Sequence, residues 1–238
     1  MLAGCQAASN DDTALIAVAT NFRTTFETLE TVFERDTDFN VTQVSGATGS
    51  LYTQIINGAP YHIFLSADQA RPKKLETDDR ASDRFTYAQG KLVLWSYSED
   101  ILNAPLEDIL AGPHAAPLSM ANPALAPYGR AAQEVLDAVS APLNQRIVMG
   151  ENAGQAFALV GSRNAAAGFV AKSDAMRSGD GYTLEIDSAL YRPIKQDAVL
   201  LRTGENLPSA QAFFAFLQSE AAREIIAADG YSAPKENL

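Results

Sequence analysis

Four stretches of this 238-residue chain set small hydroxyl, amide or phenol residues where a strand gives way to a helix. Thr20-Asn21 ends the run "ALIAVAT" and leads into "FRTTFETLETVFERD". Gly46-Ala47-Thr48-Gly49 precedes "SLYTQI", Tyr128 lies in "ANPALAPYGRAAQ", and Asn152-Ala153 opens the helical part of "GENAGQAFALV". The first N–H groups of a helix have no intrahelical acceptor and stand at the positive end of its dipole, so they favour anions without a formal cation. No Lys or Arg occupies any of the four junctions; Arg23 and Arg130 follow slightly later. The chemistry these residues can do together is the capture of an oxyanion by neutral donors. Singly, Thr, Ser and Asn at helix starts are ordinary caps, so the reading rests on the four in combination.

Other chemistries find less support. Gly46-Ala47-Thr48-Gly49 is not GxGxxG and lacks the lysine of a P-loop. His62 and His114 are the only histidines, one in an apolar strand and one in a Pro-flanked loop, and no GxSxG or HExxH pattern accompanies them, so no enzyme is expected. A single cysteine rules out an internal disulfide and a Cys-rich metal site; no direct metal ligands and no cofactor are expected. The formal charge of −11 argues against nucleic acid and against recruiting an anion by bulk attraction. No apolar run approaches the roughly 18 residues of a membrane-spanning helix. Leu2-Ala3-Gly4-Cys5 resembles the lipobox of bacterial lipoproteins, which leaves two readings, a lipid anchor at Cys5 or a frayed terminus.

The elements that must position the junctions alternate along the chain. "ALIAVAT", "FNVTQVSG" and "YHIFLSAD" read as strands, each followed by a helical stretch, the first carrying Phe26, Leu29, Val32 and Phe33 on one face. Asp68 reads as the N-cap of the third helix. Strand–helix units in series predict a parallel, doubly wound sheet flanked by helices. "RFTYAQGKLVLWS" passes into a second unit of the same type, and "RPIKQDAVLL" returns. The expectation is therefore a tether over 1–12, lobe I over 13–86 and 195–238, lobe II over 87–194, and a ligand cleft between the lobes, beyond the carboxyl ends of the strands.

The stretches "VATNF", "GATGSLYTQIINGAPYHIFLSAD", "RFTYAQGKLVLWS", "NPALAPYGRAA", "ENAGQA" and "GFVA" resemble, in order, the periplasmic molybdate-binding proteins of ABC transporters, most closely their Azotobacter-like branch. The resemblance spans about Ala14 to Tyr231. It implies a two-lobed type II periplasmic solute-binding protein that closes on molybdate or tungstate and delivers it to an ABC permease, with the ATPase engaged indirectly. It also implies a periplasmic protein that acts as a monomer, with the two readings of Cys5, lipid anchor or frayed terminus, left open. The contacts carried over are Thr20, Asn21 and Thr48 from one lobe, and Tyr128 and the N–H of Ala153 from the other. Thr48 stands where serine is usual, Ala153 where a bulkier apolar residue is usual, and Ala171 where many relatives carry a ligand tyrosine, so Tyr128 is expected to supply the phenol. The alternative ligands are sulfate or phosphate, and an effector-sensing domain of a regulator shares the architecture.

Overall fold

The first helical segment shows how the pattern becomes structure. Phe26, Leu29 and Phe33 recur at helical spacing and are fully buried on one face of α1 (Arg23–Asp36), against Ile16, Val18 and Phe213. The computed structural model describes residues 12–112, 117–139 and 146–232, so Cys5 and His114 lie outside it.

The first sheet uses β1 (Thr13–Ala19), β2 (Asn40–Gly46), β3 (Ile63–Leu65), β4 (Ala81–Gly90) and a late strand, Ile194–Leu201. Helices α1, α2 (Thr48–Ile56) and α3 (Ala70–Thr77) connect its early strands. The second sheet uses β5 (Leu92–Ser96), β6 (Leu118–Ala121), β7 (Ile147–Gly150), β8 (Ala167–Ala171) and β9 (Tyr182–Glu185). Its helices are α4 (Glu99–Leu102), α5 (Leu106–Ala111), α6 (Pro127–Ala138), α7 (Ala153–Gly161) and α8 (Lys172–Ser178). The late strand, β10, then rejoins the first sheet, and α9 (Pro208–Phe216) and α10 (Glu220–Ala228) follow it.

The strand orders are β2-β1-β3-β10-β4 and β7-β6-β8-β5-β9. In each sheet three strands linked by helices run parallel, and one strand pairs antiparallel beside them: the returning β10 in the first sheet and the entering β5 in the second. The doubly wound, two-lobed reading holds. The chain crosses between sheets twice, from Gly90 to Leu92 and again ahead of Ile194. Between β4 and β10 the register slips: Gln196 faces Ala88 but Asp197 faces Thr86, which leaves Tyr87 as the extra residue of a bulge.

Two local expectations change. Helix α2 begins at Thr48, ahead of "SLYTQI", so Thr48 and Gly49 belong to its first turn. Strand β3 is only three residues long, because the chain turns at Ser66, whose hydroxyl accepts from the Asp68 N–H at 3.1 Å. Asp68 accepts from the Arg71 N–H at 3.0 Å, but it sits two residues before α3 rather than at the cap position, which Gln69 fills.

Candidate functional site

Parallel pairing brings the junctions together within each lobe. Ala19 lies opposite Gly46 in register, so Thr20 and Thr48 leave the first sheet side by side. Ala121 lies opposite Gly150, which delivers the approaches to α6 and α7 from one edge of the second sheet. Pro127 opens α6, its fixed φ suited to the first helical position, and Tyr128 follows it. Asn152 caps α7 by accepting from the Gln155 N–H at 2.9 Å, which leaves Ala153 as the first helical residue.

The lobes meet at these same junctions. The Gly154 N–H donates to Thr20 Oγ1 at 3.5 Å, and the Gly49 N–H donates to the Leu125 carbonyl at 2.9 Å. Asn21, Thr48, Tyr128 and Ala153 are all buried, at 2, 1, 2 and 4% exposure, and Thr20 is half-buried. Thr48 Oγ1 accepts from the Ala67 N–H at 3.3 Å. The hydroxyl oxygens of Thr20 and Thr48 thus each accept from a fixed N–H, so each keeps its own proton to offer an anion.

Asn21 is placed differently from Thr20. Neither caps the short turn Thr20–Phe22, whose cap position is Ala19. The Asn21 side-chain amide donates to Gln196 Oε1 at 2.9 Å and to the Tyr231 hydroxyl at 3.2 Å, which commits both of its hydrogens. What Asn21 can present to a ligand is its backbone N–H.

The nearby cations are matched by carboxylates. Arg23 pairs with Glu27 at 2.8 Å, and Arg130 reaches Asp68 at 3.1 Å across the lobes, where Asp68 also holds Arg71. Positive potential at the junctions therefore comes from helix ends and N–H groups. Burial pushes the Tyr128 phenol well above its ordinary pKa, with nearby Tyr231 and Asp174 adding to the shift, so it remains a neutral donor. Ala171, at the end of β8, is fully buried and brings no polar side chain. Glu151 is exposed.

Other titratable groups have structural surroundings. His62 Nδ1 accepts from the Leu15 N–H at 2.8 Å, and desolvation lowers its pKa, so the imidazole is neutral. Asp174, in the first turn of α8, has its Oδ2 sealed without a partner. Burial raises its carboxyl to about 7, against the opposing pull of Arg23 and Arg177. Among the described residues no group of three or more His, Cys, Asp or Glu is placed to hold a metal ion, and no helix is long and apolar enough to cross a membrane. An opening of about 370 Å³ lies to one side of the donors, between Asp68-Gln69 and Arg130-Glu134, with 192–195 behind. None of the five expected contacts lines it, and its mixed charge does not favour an anion.

Sequence reasoning missed Gln196, Ser173 and Tyr231, which tie the two lobes together behind Asn21. The Ser173 hydroxyl lies 3.2 Å from the Asn21 carbonyl and 3.0 Å from the Tyr231 hydroxyl. A signal was present for Gln196: in "RPIKQDAVLL" the polar Lys195-Gln196-Asp197 share one strand with the apolar Ala198–Leu201, and Gln196 and Asp197 are fully buried. Buried polar side chains on a strand need partners, and such partners come from elsewhere in the chain.

Comparison with known proteins agrees with this architecture. Residues 14–232 match the family model of bacterial extracellular solute-binding proteins. The molybdate-binding protein ModA of Azotobacter vinelandii is 40% identical over 223 residues, covering 91% of this chain and 88% of that protein. ModA of Rhodobacter capsulatus is 40% identical over 228 residues, covering 91% and 87%. The solved structure of the Azotobacter vinelandii periplasmic molybdate-binding protein superimposes with a TM-score of 0.88 at 35% identity, over 93% of this chain and all of that one. With two doubly wound lobes that meet at their strand-to-helix junctions, the chain belongs to the bacterial extracellular solute-binding protein family.

Proposed function

We propose that this protein binds molybdate or tungstate between its lobes and delivers it to an ABC importer. Thr20 and Thr48 donate through their hydroxyls and Asn21 through its N–H from lobe I; Tyr128 donates through its phenol and Ala153 through its N–H from lobe II. The observation that carries the reading is the convergence of Thr20 with the start of α7 across the lobe junction, at 3.5 Å, with the nearby Arg23 and Arg130 each paired to a carboxylate. The likeness to ModA supports the choice of ion. Metal enters only as the oxyanion, and no turnover is assigned.

Ion selectivity follows from charge and size. Molybdate and tungstate are fully deprotonated dianions at neutral pH, whereas hydrogen phosphate brings a proton that needs an acceptor, and none of the five contacts is a carboxylate. Sulfate has the same charge but shorter bonds to oxygen, so donors from two lobes cannot all close on it. Five charge-assisted hydrogen bonds at roughly 1.5–3 kcal/mol each exceed the several kcal/mol of ordering and closure, which puts Kd between about micromolar and nanomolar. The hinge comprises the two crossings between the sheets, at Gly90–Leu92 and ahead of Ile194; because β4 runs to Gly90 and β10 begins at Ile194, the lobe boundaries expected at 86/87 and 194/195 shift to the ends of these strands.

The reading places the protein in the periplasm as a monomer that docks on a permease and, through it, reaches the ATPase. Cys5 would be the lipid anchor of the exported form, and labelling of expressing cells with a radioactive fatty acid tests that point. Calorimetry of ligand-stripped protein tests the rest. Tight one-to-one binding of molybdate and tungstate, with little heat from sulfate or phosphate, is the expected result. Silence with all four ions would sink the ligand assignment and leave the fold intact.

A further inference from the structure

We infer that Gln196 is a positioning residue that fixes the direction of the Tyr128 hydroxyl proton and so makes the phenol a donor to the ligand. This rests on the oxyanion reading above and adds to it a residue that touches no ligand. The chain of reasoning starts at a group that can only accept. The Asn21 carbonyl takes the Tyr231 proton at 2.6 Å, so the Tyr231 oxygen has no proton left to give. It must therefore accept from Asn21 Nδ2, at 3.2 Å, which fixes which way the Asn21 amide is turned. The same Nδ2 donates to Gln196 at 2.9 Å, so the Gln196 atom facing it is the carbonyl oxygen. That oxygen also faces the Tyr87 hydroxyl at 3.1 Å. Gln196 Nε2 is left facing the Tyr128 oxygen at 3.4 Å, and there the phenol can only accept. Its own proton is directed elsewhere.

Two further features hold this arrangement. Gln196 and Tyr128 are buried, at 0 and 2% exposure, so water does not compete for the phenol oxygen. Gly90 gives the phenol its space: a Cβ there would lie 2.0 Å from the Tyr128 oxygen and 2.8 Å from Gln196 Nε2. Gln196 lies on β10, within three residues of where the chain re-enters the first sheet, and it bonds Asn21 of one lobe and Tyr128 of the other. Thr20 and Thr48 follow the same logic with backbone N–H donors, and Tyr128 is the case in which a side chain supplies the fixed donor.

The test is a double-mutant cycle on molybdate affinity with wild type, Tyr128→Phe, Gln196→Met and the double variant, supported by near-ultraviolet difference spectra. Tyr128→Phe should weaken binding about ten- to a hundredfold, the range of one charge-assisted hydrogen bond. Gln196→Met should lose most of that factor, and the double variant no more than about twofold beyond Tyr128→Phe. In the spectra, wild type minus Tyr128→Phe should show a red-shifted phenol band when molybdate is added, a measurement that needs no Gln196 variant to fold. Losses that multiply, a Gln196→Met protein with wild-type affinity, or a missing phenol shift would each overturn the inference while leaving molybdate binding in place. A wild-type protein that binds no oxyanion would sink the functional reading, and this inference with it.

Discussion

Replacing Gly90 by alanine probes the site from outside the ligand set. Gly90 lies at the end of β4, opposite Ile194, and its φ is not in the left-handed region, so alanine meets no backbone strain. The effect must come from the added methyl group, which would sit 2.0 Å from the Tyr128 oxygen. Ordinary van der Waals contact begins near 3.4 Å, so the phenol oxygen must retreat by about 1.4 Å or the strand must move. A hydrogen bond of about 2.8 Å lengthened by that amount is lost. The expected cost in affinity is about 1.5–3 kcal/mol, or ten- to 150-fold in Kd for molybdate. Overpacking should also lower stability by about 1–3 kcal/mol, or very roughly 2–12 °C in Tm. The assay pairs calorimetric titration with thermal melting of the ligand-free protein, and Gly161→Ala, whose new Cβ meets nothing within 4 Å, serves as the control. If Gly90→Ala loses stability but binds molybdate within twofold of wild type, the phenol is not a ligand contact and the reasoning fails.

Other perturbations separate the remaining features. Asp174→Asn should stabilise the protein above neutral pH and do nothing below about pH 4, because a carboxyl raised from 3.8 to about 7 favours the folded state at low pH and loses that contribution as pH rises through 7. The full shift corresponds to about 4 kcal/mol, and the partial exposure of the residue reduces it to about 2, readable as a pH-dependent difference in Tm. Arg130→Met removes a cross-lobe pair whose arginine is 49% exposed, so ligand release should quicken by no more than about fivefold, and the difference should shrink in high salt. Asp197→Asn removes one of two carboxylates on Arg84; because Arg84 keeps Glu76 at 3.1 Å and 24% exposure, the cost should be about 2 kcal/mol in chemical denaturation, below the full penalty of breaking a buried pair.

Local pattern was legible and long-range pairing was not. Helix α1 could be read to its ends because Phe26, Leu29 and Phe33 mark one face, and β1 because Ala14, Ile16, Ala17 and Val18 are buried from both sides. Helices α4, α5 and α8 and strand β9 have four to seven residues each, too short for a period to show, and β9 is largely exposed. At the site, Thr20, Thr48 and Ala153 could be placed because a strand end followed by a helix start is a local event. The partners of Asn21 lie 175 and 210 residues away in the chain, and no spacing rule in one sequence connects them. For the same reason the residue types suggested a side-chain role for Asn21, while the structure assigns that amide to the lobe junction.

The bulge at Tyr87 also bears on how such a receptor could change its ligand class over evolutionary time. Gln196 and Asp197 are neighbours on one strand, the first facing Asn21 and Tyr128, the second turned to Arg84, Thr86 and Gln69. Strand faces alternate with a period of two, so a one-residue slip exchanges them. A single deletion in β10 ahead of this pair would bring the Asp197 carboxylate to the back of the cleft in place of a neutral amide. The same scaffold would then present a surface hostile to dianions and hospitable to cations, without any change at Thr20, Thr48 or Tyr128.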